Sequence, residues 1–548
     1  MQKPKPFFDK VFYQIYPRSF ADSNGDGIGD LRGIISKLDY LAELGIDVIW
    51  LSPVYKSPLM DMGYDISDYY SIHPDLGTMD DFDDLIKEAA RRDIRIVMDL
   101  VVNHTSDQHP WFIASKDKNS KYRDYYIYRK GKKNGRKPPN NWTSMFTGPA
   151  WSRNEGDDEY YLHLYSKQQP DLNWHNEAVV EEVEKILRFY LDKGVYGFRC
   201  DVINQIYKES LEDGKGHSFS GRGSEHYLGV EGNHKMLRRL YDDVFSHYDC
   251  VVIGETYQVS KECGKRYLEN HELDMFFQFD TANCDKIKSL PVFAKRFKPS
   301  LLRDAFYSWQ TAVSWNANYL ENHDQRRSIS RFGSMQFHKE SGKALGMLLL
   351  TLRGTPFIYQ GEEIGMTDLP IGDPDKSQDV SCRLVSGIMK RFHFPRKLRY
   401  KCCHNINRDN SRSPMQWDKG VSAGFSTSKD TWIQVNENYL AGINVYDESL
   451  DPDSIYNFYK RLTYLRHRDE VLSYGEIYPI KVHSELIAFQ RVYLGRRRLV
   501  LINLTPKRMA IDRHLILSGA KLLLSSASSP SYEHGLLEPY EADIFTLE

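Results

Sequence analysis

The stretch EEVEKILRFYLDKGVYGFRCDV, residues 181–202, holds in one run the unit from which most of the chain is built. Its first part, Glu181–Lys193, places apolar residues at three- and four-residue intervals, the spacing of an amphipathic helix. Its second part, Val195–Val202, is short, mostly apolar and strand-like, and it carries Asp201 near its end. Acidic groups at strand ends are where a parallel barrel assembles its chemistry. The same unit recurs in both directions. Strand-like runs are Val11–Tyr16, Val48–Ser52, Ile94–Val102, Val195–Val202, Val251–Glu255, Met275–Phe279, Ser314–Asn322 and Pro356–Gln360. Amphipathic stretches such as Leu31–Leu44 and Met79–Arg92 lie between most of them. Eight strands alternating with helices predict an α/β chain closed into a parallel (β/α)8 TIM barrel.

Two segments break the alternation. Residues 104–174, after the third strand, are rich in Lys, Asn, Gly, Pro and aromatics, and a loop that long in a compact domain is functional or a subdomain of its own. Beyond about residue 475 the runs Leu486–Tyr493, Arg498–Leu504, Lys521–Ser525 and Ala542–Leu547 have short turns and no helical spacing, which predicts a terminal antiparallel β domain. The expected organisation is barrel over 1–103, inserted subdomain over 104–174, barrel again over 175–474, and C-terminal domain over 475–548.

Composition narrows the function classes. The 548 residues include 73 basic and 75 acidic side chains, a net charge of −2, so no overall field favours nucleic acid or an anionic membrane. The N-terminus lacks a signal-peptide core, and the longest apolar stretch, Ala344–Leu352, is too short to span a bilayer. Seven scattered cysteines form neither a disulfide framework nor a zinc pattern, which points to a reduced, cytoplasmic setting.

Four polar clusters end four strand-like runs: Asn103-His104, Arg199-Cys200-Asp201-Val202, Gly254-Glu255 and Asn322-His323-Asp324. Arg199 and Asp201 project to one side of an extended strand, so a fixed positive charge would hold Asp201 ionised. Taken alone, that motif is better explained as a structural Arg–Asp pair. Glu255 closes Val251-Val252-Ile253, an apolar mouth suited to a proton donor. Two carboxylates facing one glycosidic bond can supply nucleophile and acid. Independent structural roles for all four clusters are a poor account of their shared placement.

The segment Asp22-Ser-Asn24-Gly-Asp26-Gly-Ile28-Gly-Asp30 sets oxygen ligands at alternate positions, as in the first half of a calcium-binding loop. It departs from that loop by offering Asp30 at position 9 and no Glu at 12. The reading is a structural calcium site, with magnesium as the alternative; a polar turn with Asp30 capping the next helix is the plainer possibility. No organic cofactor is implied.

With these residues in view the chain resembles the α-amylase superfamily, glycoside hydrolase family 13, and within it the oligo-1,6-glucosidase branch. Asp99–His104, Gly197–Val202, Glu255 and Asn322–Asp324 are similar to its four signature regions in order, and Gln169-Pro-Asp-Leu-Asn173 to the region typical of that branch. The resemblance implies Asp201 as nucleophile, Glu255 as acid/base and Asp324 as a third carboxylate gripping sugar hydroxyls. It implies a glucose pocket lined by Asp61, Tyr64, His104, Arg199, His323 and Arg412, with Phe146 and Gln169 at its rim. Val202, after the nucleophile, resembles enzymes that cut α-1,6 bonds, where alanine or threonine accompanies α-1,4 cleavage. One side chain shifts such a choice by about 1–3 kcal/mol, a preference and not an exclusion.

The expected activity is an exo-acting, retaining α-glucosidase on isomaltose and short isomalto-oligosaccharides, acting as a monomer with no nucleic-acid or membrane partner. The alternatives are an α-1,4-preferring α-glucosidase, a sucrose-converting or transglucosylating relative, and a non-catalytic subunit of the same fold. Gln325-Arg326-Arg327-Ser328 departs from the Gln-Pro-Arg of many relatives, and Arg326–Arg331 does not match the Arg-Leu-Asp-Arg-Asp loop of sucrose isomerases.

Overall fold

The computed structural model describes residues 5–155, 157–218, 220–287, 290–482, 485–511, 515 and 520–547. Residues 1–4 of the expected first barrel part, 156 of the insertion, 219, 288 and 289 of the second barrel part, and 483, 484, 512–514, 516–519 and 548 of the C-terminal domain lie outside the described residues.

Each of the eight strand-like runs contains a strand: β1 (Phe12–Ile15), β2 (Val48–Leu51), β3 (Arg95–Leu100), β4 (Gly197–Cys200), β5 (Val251–Glu255), β6 (Met275–Phe277), β7 (Ala317–Asn318) and β8 (Thr355–Tyr359). Their order in one sheet is β6-β5-β4-β3-β2-β1-β8-β7, the cyclic order of a (β/α)8 barrel. The ladders β3–β4, β4–β5, β5–β6, β1–β8 and β7–β8 are all parallel. Most strands are shorter than their apolar runs. β7 keeps two residues of Ser314–Asn322, and the rest of that run leaves the ladder before Asn322, His323 and Asp324.

The chain divides into two compact units, one of residues 1–49, 88–94 and 279–548, the other of residues 50–87 and 95–278. The middle unit carries β3 to β6. The helix opening there, α1 (Glu177–Asp192), starts before the expected Glu181, because the Asn176 side chain caps it by accepting from the Ala178 N–H. It buries Val179, Val180, Val183, Ile186, Leu187, Tyr190 and Leu191, the stripe that its spacing predicts. Gly197 opens β4 for a steric reason: a Cβ there would sit 2.0 Å from the Val251 carbonyl oxygen on β5. Further on lie α2 (Glu231–Asp243) and α3 (Lys261–Glu269).

The inserted segment folds around a three-stranded antiparallel sheet in which Glu159–Leu162 pairs with Tyr128–Lys130 and with Trp151–Arg153. Trp142, Trp151, Leu162, Leu164 and Tyr227 form its own core. Trp174 fixes the end of the insertion by donating its indole N–H to the Val102 carbonyl at 2.9 Å.

In the terminal unit the expected helix Leu31–Leu44 is two helices, Leu31–Ser36 and Leu38–Leu44, with Lys37 outside helical geometry between them. The apolar spacing runs on across the kink, so it gave no sign of it. Ala344–Leu352 falls mostly within α4 (His338–Thr351), which is buried over Ser341–Thr351. No helix among the described residues is long and apolar enough to cross a membrane. The C-terminal segment forms a five-stranded antiparallel sheet, with Glu476–Pro479, Ile487–Tyr493, Arg496–Ile502, Ala542–Leu547 and Lys521–Ser525 in that order. Leu499, Leu501 and Phe545 from it pack with Ile511 and Leu537, beside the two-stranded ribbon of Met509–Ala510 and Leu536–Leu537.

Candidate active site

In the middle unit three strand ends converge on one guanidinium. Register places Asp99 of β3 and Ile253 of β5 on either side of Arg199 of β4. Arg199 is 2% exposed. Its Nη1 donates to Asp99 Oδ1 at 2.6 Å and to Asp201 Oδ1 at 2.7 Å, and its Nη2 lies 2.7 Å from Glu255 Oε2. The Trp50 ring lies under it at 5.1 Å and the Tyr64 ring at 5.8 Å. Asp99 Oδ2 also accepts from Trp50 Nε1 at 3.1 Å and from the Tyr64 hydroxyl at 3.0 Å.

One cation set among three buried acids leaves an excess of negative charge. Burial lifts Asp99 to about 6 against the pull of Arg199. Burial also lifts Asp201 well above the carboxylate range; Arg199 offsets part of the rise, and the Glu255 and Asp99 charges add to it. Arg199 alone therefore does not hold Asp201 ionised as the sequence suggested, because the guanidinium is divided among three partners. Asp201 and Glu255 are joined through Arg199, one on each of its terminal nitrogens.

Val202 takes φ +37° and ψ +38°, a left-handed conformation that a β-branched residue adopts only under constraint. The constraint is visible. Its N–H donates to Glu255 Oε2 at 3.1 Å, so the turn after Asp201 also orients the second acid.

The neighbouring polar residues of this unit form a second network. His104 Nε2 is 3.0 Å from the Tyr64 carbonyl and 3.1 Å from Gln169 Nε2, which donates to Asp61 Oδ2 at 3.2 Å. Burial lowers the pKa of His104, which keeps it a neutral hydrogen-bonding group. The Phe146 ring meets Tyr165 edge-on at 5.5 Å, and Tyr165 lies 5.3 Å from the His104 ring. The structure thus brings Asp61, Tyr64, His104 and Gln169 together, with Phe146 joined to them through Tyr165.

In the terminal unit Asp324 is held by a different balance. Its Oδ1 accepts from Arg412 Nη2 at 2.7 Å, with Arg408 Nη1 at 3.5 Å. Its N–H donates to Asn322 Oδ1 at 2.9 Å. His323 Nδ1 accepts from Gln14 Nε2 at 2.7 Å, which leaves the proton on Nε2, 3.4 Å from Asp324 Oδ2. Arg412 is buried, lies 5.3 Å over the Tyr16 ring and donates from Nε to the His323 carbonyl at 3.0 Å.

The Asp22–Asp30 loop lies in the same unit. Asp22 accepts from the N–H groups of Asn24, Gly25 and Gly27, Asn24 Oδ1 accepts from the Asp26 N–H, and Asp26 accepts from the Ile28 N–H. Asp30 accepts from Ser23 and caps the helix at Leu31 through the Gly33 N–H. Among the described residues no group of three or more His, Cys, Asp or Glu side chains converges to hold a metal ion. The donor set of the loop is nonetheless all oxygen, with three carboxylates, an amide and the Ile28 carbonyl, the chemistry of a hard cation.

Against this geometry, the family model of the α-amylase catalytic domain matches residues 14–475. The chain belongs to the α-amylase family of glycoside hydrolases. An oligo-1,6-glucosidase from Bacillus cereus is 45% identical over 558 residues, covering 98% of this chain and 99% of the relative. An oligo-1,6-glucosidase from Parageobacillus thermoglucosidasius is 44% identical over 557 residues, covering 98% of each. Among solved structures, the isomaltulose synthase of Klebsiella sp. LX3 superposes with a TM-score of 0.94 at 37% identity, over 100% of both chains.

Four residues of this α-amylase-family enzyme join the networks without having been singled out from sequence: Asp99, Tyr165, Lys208 and Arg408. Asp99 could have been found, since it stands two residues inside a strand end, as Arg199 does. Lys208 had no such signal. It is buried, 2.6 Å from Asp171 Oδ2, and donates to Asn103 Oδ1 at 2.8 Å beside His104. Arg326, at the position of the proline in the expected motif, and Arg327 are engaged in ion pairs with Asp368 and Glu321.

Proposed function

We propose that this enzyme is an exo-acting, retaining α-glucosidase that removes non-reducing-end α-1,6-linked glucose from isomaltose and short isomalto-oligosaccharides. The observation that carries the mechanism is that Asp201 and Glu255 are both held on one guanidinium, through Nη1 and Nη2 of Arg199 at 2.7 Å each. An inverting enzyme keeps its two carboxyl groups about 6.5–9.5 Å apart to admit water between them, whereas a retaining enzyme keeps them at about 5–5.5 Å. Carboxyls held on the two terminal nitrogens of one guanidinium are close neighbours and belong with the second class.

In the first step an Asp201 oxygen bonds to the anomeric carbon while the glycosidic oxygen leaves with the Glu255 proton. This step needs a proton on Glu255, and Val202 N–H and Arg199 hold that carboxyl in place to deliver it. In the second step Glu255 takes a proton from water, the hydroxyl displaces Asp201, and α-glucose is released. A sugar hydroxyl in place of water gives transglucosylation. Asp324, oriented by Arg412 and His323, is assigned the grip on sugar hydroxyls. Asp61, Tyr64, His104 and Gln169 supply a fixed polar wall for a glucose ring, with Phe146 as an aromatic rim.

The α-1,6 preference is supported by Val202 and by the oligo-1,6-glucosidases among the relatives. Arg326 and Arg327 are spent on ion pairs, which favours hydrolysis over the sucrose rearrangement named for the Klebsiella relative. The Asp22–Asp30 loop is assigned a structural calcium ion, held by Asp22, Asn24, Asp26, the Ile28 carbonyl and Asp30. We place the enzyme in the cytoplasm as a monomer. The test is product analysis on isomaltose, maltose and sucrose side by side, with Asp201→Asn as control. Glucose mainly from isomaltose is expected; preference for maltose overturns the linkage, and rearranged sucrose overturns the reaction class.

A further inference from the structure

Away from the strand ends, the middle unit contains a second set of groups arranged for proton transfer. Cys263, in the first turn of α3, has its sulfur 3.4 Å from Nε2 of His234 on α2. The other ring nitrogen, Nδ1, lies 2.5 Å from Glu272 Oε2. His234 is 2% exposed and Glu272 3%, so neither is a chance surface neighbour. Asn270 Nδ2 donates to Glu272 Oε1 at 3.1 Å and fixes the carboxylate. A carboxylate that accepts from Nδ1–H leaves Nε2 facing the sulfur as an acceptor, and this order of thiol, imidazole and carboxylate is that of an activated nucleophile.

Surroundings add to the geometry. Burial disfavours a charged His234, but its bonds to Cys263 and Glu272 outweigh that and raise it to about 9, which favours the imidazolium that results when the ring takes the thiol proton. Ser260 caps α3 by accepting from the Cys263 N–H, so the sulfur sits at the positive end of a helix. Beside it stands Gly229, where a Cβ would lie 3.3 Å from the sulfur, and the absent side chain leaves room.

The other thiols provide the contrast. Cys200, Cys382, Cys402 and Cys403 are buried. Cys250 and Cys284 are partly exposed like Cys263, but burial pushes them up to about 12 and about 11, where little thiolate forms at neutral pH.

We propose that Cys263, His234 and Glu272 form a thiol-exchange site, at which a low-molecular-weight disulfide transfers one of its halves to Cys263. The sulfur of Cys263 attacks one disulfide sulfur as its proton passes to His234 Nε2. A new S–S bond forms, the old one breaks, and the departing thiolate takes the proton from His234. The net reaction is one thiol and one disulfide exchanged for another pair, with no other oxidant. No group of the glycosidase mechanism takes part, so the site stands or falls independently of that reading.

The test is incubation of the full-length protein with glutathione disulfide at pH 7, followed by peptide mapping of all seven cysteines over time. The expected result is modification of Cys263 at least about tenfold faster than of Cys250 or Cys284. His234→Gln and Glu272→Gln each slow it about tenfold or more, while cooperative thermal unfolding well above the assay temperature shows that the variants are folded. Equal rates at the three partly exposed cysteines in the unaltered protein overturn the proposal without recourse to a variant. An unchanged Cys263 rate in folded His234→Gln overturns it as well.

Discussion

Two acidic centres of this enzyme are built on opposite charge balances. In the middle unit one arginine, Arg199, serves three carboxylates, Asp99, Asp201 and Glu255. In the terminal unit Asp324 is met by Arg412 at 2.7 Å and more distantly by Arg408, which it shares with Asp379. An excess of buried acid over base raises proton affinity, as at Asp99 and Asp201, while Asp324 is met by a buried cation of its own. The first arrangement suits proton donation and nucleophilic attack in turn. The second suits a fixed anion that holds hydroxyl groups. Two glycosidase tasks are thus separated by counting charges before any sugar is considered.

The sharpest way to break this comparison is to remove the shared cation. Arg199→Met leaves three buried acids uncompensated, and the expected loss is about 3–5 kcal/mol of stability with turnover down by about a thousandfold or more. Near-normal melting and turnover would mean that Arg199 is not what balances the acids.

Asp99→Asn sharpens the count by deleting one acid. In the folded protein burial holds the Asp99 proton up to about 6, against an ordinary value of about 3.9. The native state therefore binds more protons than the unfolded chain between those values, and stability falls as pH rises through that window. The Asn variant is expected to lack a fall on the order of 2 kcal/mol, measured by urea unfolding at pH 4 and 6.5. The same fall in both proteins would place the retained proton elsewhere in the network.

In the second centre, Arg408→Met removes the more distant of the two cations, and Arg412 keeps its contact. Turnover on isomaltose should fall only about tenfold, equivalent to about 1.4 kcal/mol, while melting falls because buried Asp379 loses its partner. A loss as large as that of Arg199→Met would erase the distinction between the two centres. The smallest effect belongs to the Asp22–Asp30 loop. Chelation should lower Tm by about 2 °C and leave turnover unchanged, because the loop shares no residue with either centre. Lost activity at unchanged Tm would make the cation part of the chemistry.

Local pattern and fold were legible to different depths. Every strand of the barrel was found, since apolar runs between amphipathic helices leave few other arrangements, yet β7 shrank to two residues of the nine in Ser314–Asn322. Hydrophobicity marks what is buried, not where a ladder stops. The break at Lys37 was invisible for the same reason, as both helices on either side bury the same stripe. Residues such as Tyr165, Lys208 and Arg408 carry no local mark, because their partners Gln205, Asn103 and Asp324 lie 40, 105 and 84 positions away and are chosen by packing.

The sequence by itself determined which acids stand at strand ends, their order along the chain and the eightfold alternation that brings them there. Those follow from short-range rules, the period of a strand and the period of a helix. Only the tertiary structure decided how charge is shared: that Arg199 divides itself among three carboxylates, that Val202 turns left-handed to aim its N–H at Glu255, and that Asp324 takes Arg412 while sharing Arg408 with Asp379. Proton affinity depends on burial and on every charge within a few ångströms, and neither quantity exists until distant segments have packed.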